Sequence, residues 1–332
     1  MFKSKWEKLI IVLVIAISPI IISWGVWGHE HINRAAVLAQ PEPLLTFFYN
    51  HIDYLTTESS VPDLRKYTLH DKAEFPRHFI DLENYGTIDS LPFDYKEAVD
   101  KYGQDFMNKN GIVFWYIKIC EDKLTQAFKK GRPNEILFLA ADLGHYIGDS
   151  HMPFHTTINY NGQLTGQKGI HALWESEIPE KLGHNYNFYI GQAEYIDNVQ
   201  DEIYKIIKHS HSLVDTALMA YKKAQEEMGN KNIFVLSEDG KPKRNMFGAY
   251  IYSDEFIDKF NKNMNGMVEK QLRSAIKETA NFWYTAWVNA GKPDLSKLNS
   301  EMLTKSNKKM LKKEHKWYMQ GKLPLVTSFL EF

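Results

Sequence analysis

Histidines and carboxylates recur at helical spacing in the middle of this sequence. His145 and Asp149 lie four apart in Gly-His-Tyr-Ile-Gly-Asp, and His171 and Glu175 repeat the spacing in His-Ala-Leu-Trp-Glu. His155 follows Asp149 by six, just past Pro153. On a helix, positions i and i+4 share a face, so each pair can present two ligands to one ion. Imidazole with carboxylate, and no thiolate nearby, suits zinc. One such pair alone reads more simply as an exposed ion pair worth little. Two pairs with His155 between them, set among Leu139, Tyr146, Phe154 and Trp174, do not read as a wet surface.

The elements that must hold these side chains read as helices. Apolar periodicity predicts helices over 30–40, 44–55, 111–129, 134–149, 170–178, 199–228, 254–290 and 294–314. Pro41 and Pro43 close the first, Pro133 with Glu135 opens the fourth, and Pro179 closes the fifth. Gly291 and Pro293 end the helix over 254–290. Residues 56–92, 156–169 and 230–247 are rich in polar residues, Gly and Pro and read as loops. Strand-like alternation never extends beyond a few residues. Lys305, Lys308, Lys309, Lys312 and Lys313 form a solvated helix face. The expectation is an all-α, single compact multi-helix domain over 24–332.

Residues 1–23 stand apart. Lys3, Lys5 and Lys8 precede an apolar run from Leu9 to Ile22, broken only by Ser18 and Pro19, and then Ser23. That is the layout of a signal peptide. The run is short for a membrane anchor, so the expectation is cleavage, no stable membrane span afterwards, and a periplasmic or secreted monomer. The whole chain has 332 residues, 44% apolar and 24% charged, enough to bury a core and too apolar to be disordered. Its formal charge of −1 leaves no broad basic surface for duplex DNA. An anionic substrate must therefore be drawn by a local charge such as a bound metal. The one cysteine, Cys120, follows an apolar stretch and reads as a buried, inert thiol.

Together these motifs resemble the superfamily of zinc-dependent phospholipases C and single-strand-specific zinc nucleases. Trp24-Gly-Val-Trp-Gly-His29 is similar to the mature nuclease N-terminus, where Trp comes first and His follows five later. Pro62-Asp63 and Arg77-His78-Phe79-Ile80-Asp81 resemble the segments that hold the first zinc. Gly144 through His155, and His171 through Glu175, resemble the rest of the site. The likeness runs by motif from Trp24 to Glu180 and more weakly, as helices, to Pro293. It implies three zinc ions per chain. Asp63, His78, His145 and Asp149 would bind the first. His155, His171 and Glu175 would bind the second. The Trp24 amino nitrogen and carbonyl oxygen, His29 and a shared Asp149 would bind the third. Zinc lowers the pKa of a bound water to about 7, which gives hydroxide at neutral pH. Asp63 would orient the attacking water or act as base, and Arg65 or Lys66 would meet the phosphate.

The implied activity is hydrolysis of phosphodiesters, with two substrate readings. Phospholipid headgroups are favoured by Glu175 as the last acid, the compact 156–170 loop, Phe75 before His78 and the lack of disulfide cysteines. Against them, Trp27 and Leu64 stand where an acid and a tyrosine of the choline pocket belong. Single-stranded nucleic acid is favoured by the Trp24–His29 and Asp63–His78 spacings. A missing Gly-Gly-Asn segment before His171 counts against it. The lipid reading stands slightly ahead. Phe75 and Phe79 would stack on a base or headgroup, and Asp81 would bond a base or support His78. Two other classes remain: an HD-type phosphohydrolase, from His70-Asp71, and a zinc-stabilised exported helical binding protein.

Overall fold

The computed structural model describes residues 25–229, 232–245, 249–298 and 305–323. The expected signal peptide and Trp24 lie outside the described residues. Helices α1 (Gly25–Leu38), α2 (Leu44–Tyr49), α3 (Ile52–Thr57) and α4 (Val61–Tyr67) lead into the short α5 (Leu82–Tyr85). Then come α6 (Tyr95–Tyr102), α7 (Gln104–Asn110), α8 (Val113–Lys129) and α9 (Pro133–Ser150). A cluster of short helices follows, α10 (Ile170–Ala172) and α11 (Ile178–Leu182). The chain continues through α12 (Val199–Ser212), α13 (Val214–Met228), α14 (Asp254–Asn263), α15 (Met267–Asn289) and α16 (Lys305–Met319).

The centre is α9, packed by α1, α8 and α15. Its start follows from Pro133, whose fixed φ suits the first turn, and from Glu135 facing the helix dipole. Apolar residues all round, from Ile136 to Ile147, make it an inner helix. Gly144 and Gly148 let α1 approach closely. A Cβ on Gly144 would sit 2.0 Å from Asn33 Oδ1, and one on Gly148 would sit 3.1 Å from His29 Nδ1. Asn33 then bridges elements, donating to Leu55 O at 3.0 Å and Ala141 O at 3.2 Å. Trp283 of α15 donates to Ala140 O at 3.0 Å from the other side. One buried apolar cluster runs from Ile32 to Leu323.

Several expected boundaries move. The helix over 44–55 divides at Asn50-His51, and that over 254–290 divides at Asn265 and Gly266, both at positive φ. The helix over 199–228 breaks at Leu213. There Ser212 Oγ bonds His209 O, the kind of side-chain competition that weakens helices. Residues 56–92 are mostly helical turns and not loop, with Pro62 near the start of α4. Pro179 does not stop its helix. A π-turn over Leu173–Glu177 leads into α11, and Pro179 sits in that helix's first turn. The last basic helix lies later than expected, over Lys305–Met319. Between α13 and α14, antiparallel bridges pair Phe234 with Tyr252, Leu236 with Pro242 and Arg244 with Tyr250.

Candidate metal centre

Seven local structures deliver the candidate ligands. His29 comes from α1 and Asp63 from α4, while His78 ends a 3-10 turn over Phe75–His78. His145 and Asp149 lie one turn apart on α9, and His155 ends a second 3-10 turn at Pro153. His171 lies on α10 and Glu175 on the π-turn after it. All are buried in the protein interior. Their donor atoms form three groups that could each hold an ion: Asp63, His78 and His145; His29, His145 and Asp149; and His155, His171 and Glu175.

Asp149 is the hub. Its oxygens lie 2.9 Å from His78 Nδ1, 3.2 Å from His145 Nε2, and 3.5 Å from His29 Nε2 and from His155 Nδ1. Asp63 Oδ1 is 3.6 Å from His78 Nδ1. Glu175 reaches His171 Nε2 at 3.3 Å and His155 Nε2 at 3.6 Å. Burial opposes charge on His145, but the Asp149 and Asp63 carboxylates outweigh it and raise the ring to about 9. At His155 burial wins, and the ring falls to about 4. Burial also disfavours the Asp149 anion, yet His145 and His155 hold it well below the usual carboxylate range.

The donor chemistry fits zinc. Both oxygens of Asp63 and both of Glu175 are buried and accept no hydrogen bond. A buried carboxylate so placed is costly unless a cation offsets it. Imidazole nitrogens with carboxylate oxygens are a donor set that zinc, a borderline ion, accepts.

A cleft of about 520 Å³ opens onto the site, lined among others by Lys66, Phe75, Phe79, Asp81, His155 and His171. Phe75 and Phe79 meet edge to face at 5.1 Å, and Phe75 is 47% exposed, so a ring face remains for a ligand. Burial, and the nearby Glu83, raise the Asp81 carboxyl to about 6. The two basic candidates separate. Arg65 is bound to Glu74 at 2.9 Å and Asp142 at 2.6 Å, whereas Lys66 lines the cleft. The sequence pattern missed Glu74, the buried carboxylate 3.5 Å from His78 Nε2. Its i, i+4 relation to His78 was a signal, hidden because 56–92 read as loop. His31 and His151 bury with Nδ1 on the carbonyls of Trp27 and Ile147, and burial pushes each to about 4. Cys120 is buried and its thiol is pushed far up by burial, as an inert side chain.

Alpha toxin from Clostridium absonum is similar at 12% identity, with a TM-score of 0.41, over 84% of this chain. This chain spans 66% of that toxin's length, a likeness too distant to bear on activity. No curated protein matches the sequence. The profile of the S1/P1 Nuclease family, in contrast, matches residues 24–275, which contain every candidate ligand. The chain belongs to the S1/P1 nuclease family.

Proposed function

We propose that this chain is an exported zinc-dependent phosphodiesterase with three zinc ions, and that single-stranded nucleic acid ranks ahead of phospholipid as its substrate. The observation that carries the reading is the position of Asp149, within 3.5 Å of histidines from all three donor groups, beside a cleft lined by Lys66 and Lys109. Asp63, His78, His145 and Asp149 would hold one ion, and His155, His171 and Glu175 a second. His29 and Asp149 would hold the third together with the Trp24 amino nitrogen and carbonyl oxygen. Zinc, when bound, supplies Lewis-acid stabilisation of charge on phosphate oxygens and acidifies water. Asp63 keeps carboxylate oxygens free of hydrogen bonds, so it can orient the attacking water and accept its proton. Lys66 adds a positive charge at the mouth for the phosphate. Phe75 and Phe79 offer apolar surface to a base, and Asp81, ionising near pH 6, bonds a base edge.

The order of substrates follows from the aromatic faces. A choline headgroup needs open rings for its cation. Here the Lys66 ammonium already sits 4.6 Å from the Tyr67 ring centre and 5.7 Å from that of Phe75. A second cation would be repelled, while a phosphate would be attracted. The phospholipid reading remains as the alternative because the zinc chemistry is common to both. The test is kcat/KM of zinc-loaded protein on single-stranded DNA and on phosphatidylcholine. A tenfold or greater preference for DNA is expected, and a preference for the lipid would reverse the order.

A further inference from the structure

We propose that Glu74 is a positioning residue for the metal centre: its buried carboxylate faces Nε2 of His78, favours the ring proton there and thereby leaves Nδ1 as the nitrogen His78 gives to the ion. The inference rests on the metal reading above and adds to it a residue outside the donor groups.

Three of the site histidines follow one pattern. His145, His155 and His171 place Nδ1 on backbone carbonyls, of Ser59 at 2.7 Å, His78 at 2.8 Å and Tyr160 at 2.9 Å. Their Nε2 atoms then face Asp149 at 3.2 Å and Glu175 at 3.6 and 3.3 Å. His78 is turned the other way. Its Nδ1 faces Asp149 at 2.9 Å and Asp63 at 3.6 Å, and its Nε2 faces Glu74 Oε1 at 3.5 Å. A neutral imidazole carries one N–H, so a ring that ligates through Nδ1 must keep its proton on Nε2. The acceptor there is a full carboxylate and not a carbonyl dipole, which makes the ring a more basic ligand.

Glu74 is itself fixed. It is fully buried, and Oε2 accepts from Arg65 Nε at 2.9 Å and Arg77 Nη1 at 3.0 Å. The Tyr146 hydroxyl donates to Oε1, the oxygen that faces His78. Arg65 continues to Asp142 at 2.6 Å. If Glu74 served only to neutralise the two arginines, breaking the same network at Asp142 would have the same consequence for the metal.

Two measurements decide. In the zinc-loaded wild-type protein, long-range ¹H–¹⁵N spectra should show the His78 proton on Nε2 and the His145, His155 and His171 protons on Nδ1. A His78 ring protonated on Nδ1 overturns the proposal, and this arm needs no variant to fold. In chelator competition, Glu74→Gln should weaken one zinc ion by about 10–100-fold, while Asp142→Asn should change it less than about threefold. Glu74→Gln within threefold of wild type, or an equal loss in Asp142→Asn, overturns the proposal. A wild-type chain that takes up no zinc would instead overturn the metal reading, and this inference with it. Neither arm depends on the substrate.

Discussion

Asp149 lies within 3.5 Å of four imidazole nitrogens, so one side chain ties α9 to α1 and to both 3-10 turns. Lys66 is the residue whose role is separable from that core. It lines the cleft without belonging to any donor group. Lys66→Met should lower kcat/KM on any phosphodiester by about 10²-fold with zinc content, by metal analysis, unchanged. Loss of zinc along with activity would make Lys66 structural. Phe79→Ala should weaken nucleotide substrates by about 1–3 kcal/mol and spare a small chromogenic diester. Equal losses on both would remove base stacking from the account. Four of the candidate ligands were legible because i, i+4 spacing pairs His145 with Asp149 and His171 with Glu175, whereas His29, Asp63 and His78 were reached only through the family resemblance. The choice of Lys66 over Arg65 was not. It depends on Glu74 and Asp142 occupying the guanidinium, a contact that spans 77 residues in the case of Asp142.

At the scale of elements, the approach of α1 to α9 depends on absent side chains. Gly144→Ala would drive a Cβ into the Asn33 amide, whose two hydrogen bonds leave it little room to move. Overpacking of this kind costs about 1–3 kcal/mol, read as a lower denaturation midpoint. A neutral Gly144→Ala would mean that α1 can slide. On α15, burial and the Glu202 charge raise the Glu278 carboxyl to about 7. The unfolded chain releases that proton near pH 4.3, so between those values the folded state binds more protons and stability falls as pH rises. Glu278→Gln should therefore raise the unfolding free energy at pH 8 by on the order of 2 kcal/mol, read as a higher melting temperature, and leave it unchanged at pH 4. A gain at both values would point to packing. Helix content and most starts were readable from Pro133 and the apolar period. The breaks at Leu213 and Gly266 were not, since each is a local backbone choice within an unbroken amphipathic pattern.

The whole molecule joins the expected export signal to the chemistry. Residue 24 immediately precedes α1, and the Gly25 end of that helix lies against Ser176 and Glu180, beside the π-turn that carries Glu175. A chain with Met-Ser ahead of Trp24 should fold, but bind one zinc fewer and lose most activity. An amide nitrogen is a far poorer ligand than a free amine. Native mass spectrometry counts the ions. An extended chain with full zinc and full activity would remove Trp24 from the metal site.

Helix α1, made before the other described helices, is also among the last of them to find its partners. Asn33 waits for Ala141, 108 residues on, and Gln40 for Ala280, 240 residues on. Until α15 has been made, Ile32, Ala36 and Val37, fully covered in the finished protein, stand open to any passing apolar surface. Assembly of this kind is slow and exposed to aggregation. The order of synthesis thus favours keeping the chain unfolded until α15 has arrived.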